Sequence, residues 1–179
     1  HLAQQVQTDM MVRREEAIHA AYANANSVPA DCYEQMESNV ARIDSYVDDT
    51  SPNWAEPVPP LVVAGRRGSG KTTLLASWAH HRHAAGNNGE LIFAHFGGCS
   101  RDSYSITLFL HRLIARLKTF ADLHWMNMPD REDTFAVRMA LPRFLKAAVM
   151  RKGRTDRRRH TRVVIVVDNV HYIRTEDGE

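Results

Sequence analysis

The chain has 179 residues and a formal net charge of +2 at pH 7. This length corresponds to one domain or to parts of two, and an apolar content of 44% is enough to bury a sizeable core. A charge so close to zero points to no particular class of partner, and no apolar run approaches the length of a membrane span. The two cysteines, Cys32 and Cys99, are far apart and lack metal-ligand spacing, so we expect reduced thiols in a cytoplasmic protein.

The first 57 residues predict two helices and a linker. Residues 1–26 contain neither Gly nor Pro but show only a partial apolar stripe, which leaves a packing partner outside this sequence open. The second helix is predicted from an N-cap at Asp31, with Glu34 completing a capping-box-like pair. Its predicted core face consists of Tyr33, Met36, Val40, Ile43 and Val47. Prolines between residues 48 and 60 indicate a linker, so we divide the chain into 1–57 and 58–179.

The stretch G-R-R-G-S-G-K-T at residues 65–72 is the feature around which the chain is organised. It follows a predicted strand at 61–64 and opens a predicted helix from about residue 70 to 83, which is the context that a phosphate-binding loop requires. Glycines at 65, 68 and 70 allow positive φ and close approach of the backbone to an anion. The predicted nucleotide-binding residues are Gly65, Gly68, Ser69, Gly70, Lys71, Thr72 and Thr73.

Beyond the loop, strand and helix patterns alternate. Apolar runs predict buried strands at 91–96 and 163–167, and an apolar stripe predicts a helix over about 103–119. A further helical stretch is expected at 130–150, broken or kinked at Pro142, followed by a basic, loop-like run from Arg151 to Arg162. We therefore expect an α/β fold with a mainly parallel sheet that is covered on both faces. The aromatics Trp78, Phe93, Phe96 and Phe109 are assigned to its core.

Asp168 is the second candidate site residue. It ends a strongly β-branched strand, as the aspartate of a Walker B motif does, and a carboxylate there can hold Mg²⁺ together with the Thr72 hydroxyl. Lys71 and Asp168 are the expected catalytic residues, Lys71 because it would reach the terminal phosphates. The next residue is Asn169, which cannot accept a proton at neutral pH, so we expect hydrolysis to be slow.

The block L-V-V-A-G-R-R-G-S-G-K-T-T-L-L-A-S-W at 61–78 resembles the P-loop of STAND-class NTPases, particularly nephrocystin-type proteins with a NACHT-like module. Residues 41–44, residues 94–96 with their Gly/Ser turn, and the stretch V-V-D-N-V-H-Y-I at 166–173 are similar too. The resemblance implies a three-layer P-loop sandwich with strand order 5-1-4-3-2, of which this chain would hold strands 1, 2 and 3. It also implies ATP or GTP with Mg²⁺, and a signalling switch inside a longer protein.

The predicted function is a nucleotide-dependent switch or assembly module that binds a nucleoside triphosphate, with ATP expected and GTP the alternative. Its partners would be the nucleotide and further domains of a longer chain, and a homo-oligomer is compatible with this role. Two alternatives stay open. One is a nucleic-acid-associated ATPase that uses the basic run 151–162, although a solvated loop is the favoured interpretation of that run. The other is a scaffold in which the nucleotide is only structural.

Overall fold

The computed structural model describes residues 2–29, 32, 36–49, 59–85, 89–155 and 162–174. Its helices are α1 (Leu2–Asn26), α2 (Glu37–Asp48), α3 (Lys71–Ala84), α4 (Ile106–Phe120) and α5 (Thr134–Thr155). Its strands are β1 (Glu90–Phe96) and β2 (Arg162–Asp168), and short 3₁₀ turns span Asp102–Tyr104 and Val170–Tyr172. In the described part of the chain, no helix is long and apolar enough to cross a membrane.

The sheet consists of β1 and β2, which pair in parallel with a register from Glu90 opposite Arg162 to Phe96 opposite Asp168. The two predicted strands are therefore confirmed, as is a mixed α/β architecture with a parallel sheet. The strand predicted at 61–64 is wrong, because these residues have no strand pairing among the described residues. An apolar run becomes a strand only when its backbone groups find a neighbouring strand.

Helices cover both faces of this small sheet. On one face, Leu91 and Phe93 of β1 pack into a cluster with α4 and α5 that includes Leu113 and Phe144. On the other face, Trp78 of α3 packs with Ile43, Leu74, Ala79 and Val166. Alternate strand residues face opposite sides, so the near-continuous apolar runs serve both layers. All four aromatics assigned to the core, Trp78, Phe93, Phe96 and Phe109, are buried.

Two helix boundaries differ from the prediction. Helix α2 begins at Glu37 after Met36, which provides no side-chain cap, and the proposed capping residues 31 and 34 lie outside the described residues. Helix α5 begins at Thr134 rather than 130, continues unbroken through Pro142 and extends to Thr155, into the run predicted as a loop. Pro142 is exposed, whereas Val137, Phe144 and Ala148 are buried, so packing on both sides of the proline sustains the helix.

Helix α1 packs against α3 and β1 within this chain. The backbone N–H of Phe96 donates to His19 Nδ1 at 3.1 Å, and the N–H of Val28 donates to the buried Ser77 hydroxyl at 3.0 Å. The His19 ring also lies 4.7 Å from the His95 ring. Polar side chains therefore contribute to the attachment of α1, which an apolar stripe alone does not register.

An ion-pair network joins α2, α3 and the sheet at the amino ends of the strands. Arg82 contacts Asp44 at 2.8 Å, Asp48 at 2.6 Å and Glu90 at 2.7 Å, and Arg162 contacts Asp48 at 2.6 Å. The Glu90 side chain is only 4% exposed, so this network is partly withdrawn from solvent. Hydrogen bonds from Arg82 are the first cause that holds the pKa of Asp48 below its usual value.

Candidate nucleotide-binding site

The predicted phosphate-binding loop leads directly into α3. Gly68 and Gly70 have φ of +78° and +82°, a region that favours glycine, and Gly70 forms the N-cap of α3. Gly65 does not share this conformation; a Cβ there would instead lie 2.7 Å from Ser69 Oγ. The first amides of α3 have no acceptor within the helix. They lie next to the loop, where the positive end of the helix favours an anion.

Lys71 is folded back onto the loop. Its Nζ donates to the carbonyl oxygens of Gly65 at 2.9 Å and Arg66 at 2.8 Å, and lies 3.5 Å from Ser69 Oγ. The ammonium group is therefore held over the loop by neutral oxygens. A phosphate oxygen carries full negative charge and would form stronger, charge-assisted hydrogen bonds with the same group.

Thr72 and Asp168 meet directly. The Thr72 hydroxyl donates to Asp168 Oδ2 at 2.7 Å, although the two residues are separated by 96 positions in the sequence. Asp168 is 6% exposed and ends β2, whereas Thr72 lies in the first turn of α3. The two candidate metal ligands predicted from separate motifs are thus brought together at the carboxyl end of a strand.

The remaining predicted loop residues line the same turn. Thr73 is half-buried in the first turn of α3, and Ser69 is exposed, with its N–H bonded to the Arg66 carbonyl at 3.2 Å. Arg66 and Arg67 are exposed, as expected for variable loop positions.

Asn169 contacts the residue that follows β1. It adopts a left-handed conformation with φ of 55°, and its Nδ2 donates to the Gly97 carbonyl at 3.4 Å. The Gly97 N–H in turn donates to the Asp168 carbonyl at 3.0 Å, and a Cβ on Gly97 would lie 2.6 Å from the Asn169 oxygen. This close approach fixes the backbone that carries Asp168. Sequence reasoning treated the Gly97–Gly98 pair only as a turn and missed this role.

A buried polar cluster on α1 and β1 borders the site and was not foreseen. His19 Nε2 lies 3.3 Å from the Glu15 carboxylate, which also accepts a bond from the Ser100 hydroxyl. Burial lowers the pKa of His19 despite that carboxylate. The pKa of His95 falls to about 3, first because the ring is buried and second because the Arg112 guanidinium lies beside it. Both imidazoles are therefore neutral.

The hydrogen bonds agree with neutral rings. His19 Nδ1 accepts from Phe96 N–H, and His95 Nδ1 accepts from Arg112 Nη2 at 3.1 Å, while His95 Nε2 lies 3.1 Å from the Ser103 carbonyl. Each Nδ1 must then be unprotonated. The cysteine nearest this cluster, Cys99, is a free thiol 3.4 Å from His19 Nδ1, and burial raises its pKa. The cluster thus attaches α1 and offers no activated nucleophile.

Residues 60–63 and β2 both line a cleft of about 550 Å³. Val63 and Val166 line it, together with Lys71 and Asp168 at one end. Ile165 is 43% exposed beside it.

Comparisons of the chain with protein-family models, curated proteins and solved structures found no match. The assignment of this site therefore depends on its own chemistry.

The basic run 151–162 was considered as a nucleic-acid contact. Its first residues, up to Thr155, belong to α5, and its last residue, Arg162, begins β2, whereas residues 156–161 lie outside the described residues.

Proposed function

We propose that the chain binds a nucleoside triphosphate together with Mg²⁺ and acts as a nucleotide-dependent switch with slow hydrolysis. The observation that carries this proposal is the 2.7 Å hydrogen bond between Thr72 and Asp168, next to the glycine loop and Lys71. If the glycine-rich turn were a chance match, nothing would require the first hydroxyl of the following helix to contact a buried carboxylate. Here that carboxylate lies at the end of a strand that is distant in sequence.

The residues at this point fit a magnesium ion. A threonine hydroxyl and an aspartate carboxylate are hard oxygen donors, the kind that Mg²⁺ prefers in proteins. The ion would neutralise charge on the phosphates when bound. Thr72 would hold it directly and Asp168 through water, while Lys71 and the loop amides bind the β- and γ-phosphates.

Slow turnover is expected because the described surroundings of the loop supply little help for an attacking water. Asn169 follows Asp168, but its amide is engaged with the Gly97 carbonyl and cannot take a proton. A long-lived triphosphate state suits a switch, in which the γ-phosphate orders nearby segments until it is lost.

The decisive experiment is calorimetric titration of ATP and GTP, with and without Mg²⁺, into the wild-type chain and Lys71→Ala. We expect magnesium-dependent binding that weakens at least tenfold in Lys71→Ala, because the charge-assisted bonds to phosphate are lost. The relative affinities of the two nucleotides identify the preferred base. Lys118→Ala removes the same charge near the end of α4 and should leave binding unchanged.

Undiminished binding by a folded Lys71→Ala protein would show that the nucleotide site lies elsewhere. Binding without turnover in a sensitive phosphate-release assay would support the scaffold alternative over a hydrolytic switch. An absence of binding by the folded wild-type chain would contradict the proposal as a whole.

A further inference from the structure

Helix α5 presents an exposed apolar strip to solvent. Phe135 is 75% exposed, Met139 and Met150 are each 59% exposed, and Val149 is 50% exposed. These are large fractions for side chains of this type, and all four belong to one helix. On the opposite side of α5, Val137, Phe144 and Ala148 are buried against the core, so the strip is not needed for folding.

The four apolar residues share one face with basic residues. At 100° per residue, the exposed positions of α5 from 135 to 150 fall within a sector of about 140°. Arg138 and Arg143 lie at the two margins of this sector, and Lys146 lies within it; all three are exposed. We call this sector the α5 face. Lys146 lies near the middle of the sector, between the apolar side chains. Apolar and basic side chains that share one helix face are typical of helices that lie flat at a membrane interface, where long cationic side chains reach the headgroups.

No carboxylate interrupts the α5 face. The sequence from 134 to 155 contains no Asp or Glu. The carboxylate nearest in sequence is Asp133, which accepts a hydrogen bond from the Ala136 N–H at 2.8 Å at the start of the helix. Charge complementarity therefore favours an anionic partner, and the exposed methionines and phenylalanine favour one with an apolar interior. The α5 face is also a convex helix surface rather than a groove, which suits a flat partner better than a peptide helix.

We propose that the α5 face is a peripheral docking site for an anionic phospholipid membrane. Helix α5 lies parallel to the surface, with Phe135, Met139 and Met150 inserted at the headgroup boundary. Arg138, Arg143 and Lys146 contact lipid phosphates and carboxylates. This inference is independent of nucleotide binding.

The test is co-sedimentation of the chain with vesicles of phosphatidylcholine alone and of phosphatidylcholine with about one-third phosphatidylserine. We expect binding to the anionic vesicles only, weakened by added salt. The variant Arg138→Gln/Arg143→Gln/Lys146→Gln should lose tenfold or more, since each basic side chain near an anionic surface contributes about fivefold. The variant Phe135→Ser/Met139→Ser should also bind more weakly, because it removes apolar area that enters the interface.

Matched controls are available elsewhere on the molecule. Arg13→Gln/Arg14→Gln/Arg42→Gln removes three exposed positive charges of α1 and α2, and Val6→Ser/Met10→Ser removes two exposed apolar side chains of α1. Both should retain binding. Circular dichroism of each variant establishes that it is folded, which we expect because every altered side chain is exposed.

Three results would overturn the proposal: no binding to anionic vesicles, equal binding to neutral vesicles, or equal losses in the control variants. Two further results would reassign the α5 face to another partner. One is tight, salt-sensitive binding of duplex DNA that the glutamine variant abolishes while vesicle binding is absent. The other is a dimer in sedimentation velocity that the Phe135→Ser/Met139→Ser variant dissociates.

Discussion

Thr72 makes two contributions, and a pair of substitutions can show that both depend on its hydroxyl. Its hydroxyl satisfies the buried Asp168 carboxylate and is the proposed magnesium ligand. Thr72→Val keeps the shape but leaves Asp168 unsatisfied, so the free energy of unfolding should fall by about 1–3 kcal/mol. The magnesium-dependent part of ATP affinity should fall at least tenfold. Thr72→Ser retains the hydroxyl and should keep most of both, as measured by urea unfolding and calorimetry.

Gly97 permits a backbone contact that any side chain would obstruct. A Cβ at this position would lie 2.6 Å from the Asn169 carbonyl oxygen, which is backbone and cannot move without displacing Asp168. We expect Gly97→Ala to lower the free energy of unfolding by about 1–3 kcal/mol and to weaken nucleotide binding. Ala84→Gly exchanges the same two residue types at the end of α3 and is the control for effects that do not depend on position 97. A Gly97→Ala chain with wild-type stability and affinity would contradict this account.

The contact between Thr72 and Asp168 was predictable from sequence, whereas the attachment of α1 was not. Glycine spacing, Lys71, Thr72 and a strand ending at Asp168 each have a local meaning, and the two motifs together predicted that Thr72 and Asp168 meet. The segment before the loop forms no strand in the described part of the chain, so strand geometry accounts only for the position of Asp168. His19 has no such local signal. Its role depends on an N–H at the end of β1, 77 positions away, which periodicity cannot register.

At the scale of the elements, the contact between α1 and β1 should be destabilised by acid. The pKa of His95 is about 3 in the folded protein, compared with 6.5 ordinarily, and that of His19 is also lowered. As the pH falls, the unfolded chain therefore binds protons at these imidazoles at a higher pH than the folded chain does. The stability that the neutral imidazoles contribute is present above pH 6.5 and is lost as the pH falls below that value. The charged groups that act on the pair are Glu15, Glu16 and Arg112, and Cys99 Sγ lies 3.4 Å from His19 Nδ1.

We expect the free energy of unfolding to fall below pH 6.5 by up to about 1.4 kcal/mol per pH unit for each imidazole. Urea unfolding between pH 7 and pH 4 measures this slope. His95→Gln should reduce it, whereas His80→Gln, at an exposed position on α3, should not. An unchanged slope in His95→Gln would mean that other groups govern the acid sensitivity.

Arg82 of α3 connects its helix to α2 and β1, and its removal should be costly. It contacts Asp44 and Asp48 of α2 and Glu90 of β1, so Arg82→Met leaves the nearly buried Glu90 carboxylate with less compensation. We expect a loss of about 2–4 kcal/mol in unfolding free energy. Arg67→Met, in the exposed loop, should change it by no more than about 0.5 kcal/mol. Equal small effects would show that the network is effectively solvated.

The strand and helix assignments show where local sequence patterns are sufficient to predict secondary structure. The runs at 91–96 and 163–167 pair with each other and were predicted correctly, but residues 61–64 have the same apolar character without a paired strand. A strand is a property of two segments, and one sequence run specifies only half of it. Pro142 similarly predicted a break or kink in a helix that packing against α4 keeps continuous.

At the scale of the whole molecule, the first helix packs against α3 and β1 and should contribute to their stability. A chain that begins at Pro29 would lack the His19 bond to Phe96 and the packing of Tyr22 on the Phe96 ring. We expect a lower thermal midpoint by circular dichroism and greater self-association in sedimentation velocity. Arg13→Ala, exposed on the same helix, should match the wild type in both measurements.

The two outer edges of the sheet differ in a way that gives assembly a direction. Along β1, the Phe96 N–H and the Ala94 carbonyl are already bonded to His19 and Arg112, so an incoming strand would find these groups taken. Along β2, the edge opens onto the apolar cleft beside residues 60–63. Unprotected strand edges are templates for further pairing. We therefore expect an additional strand to pair more readily beside β2 than beside β1.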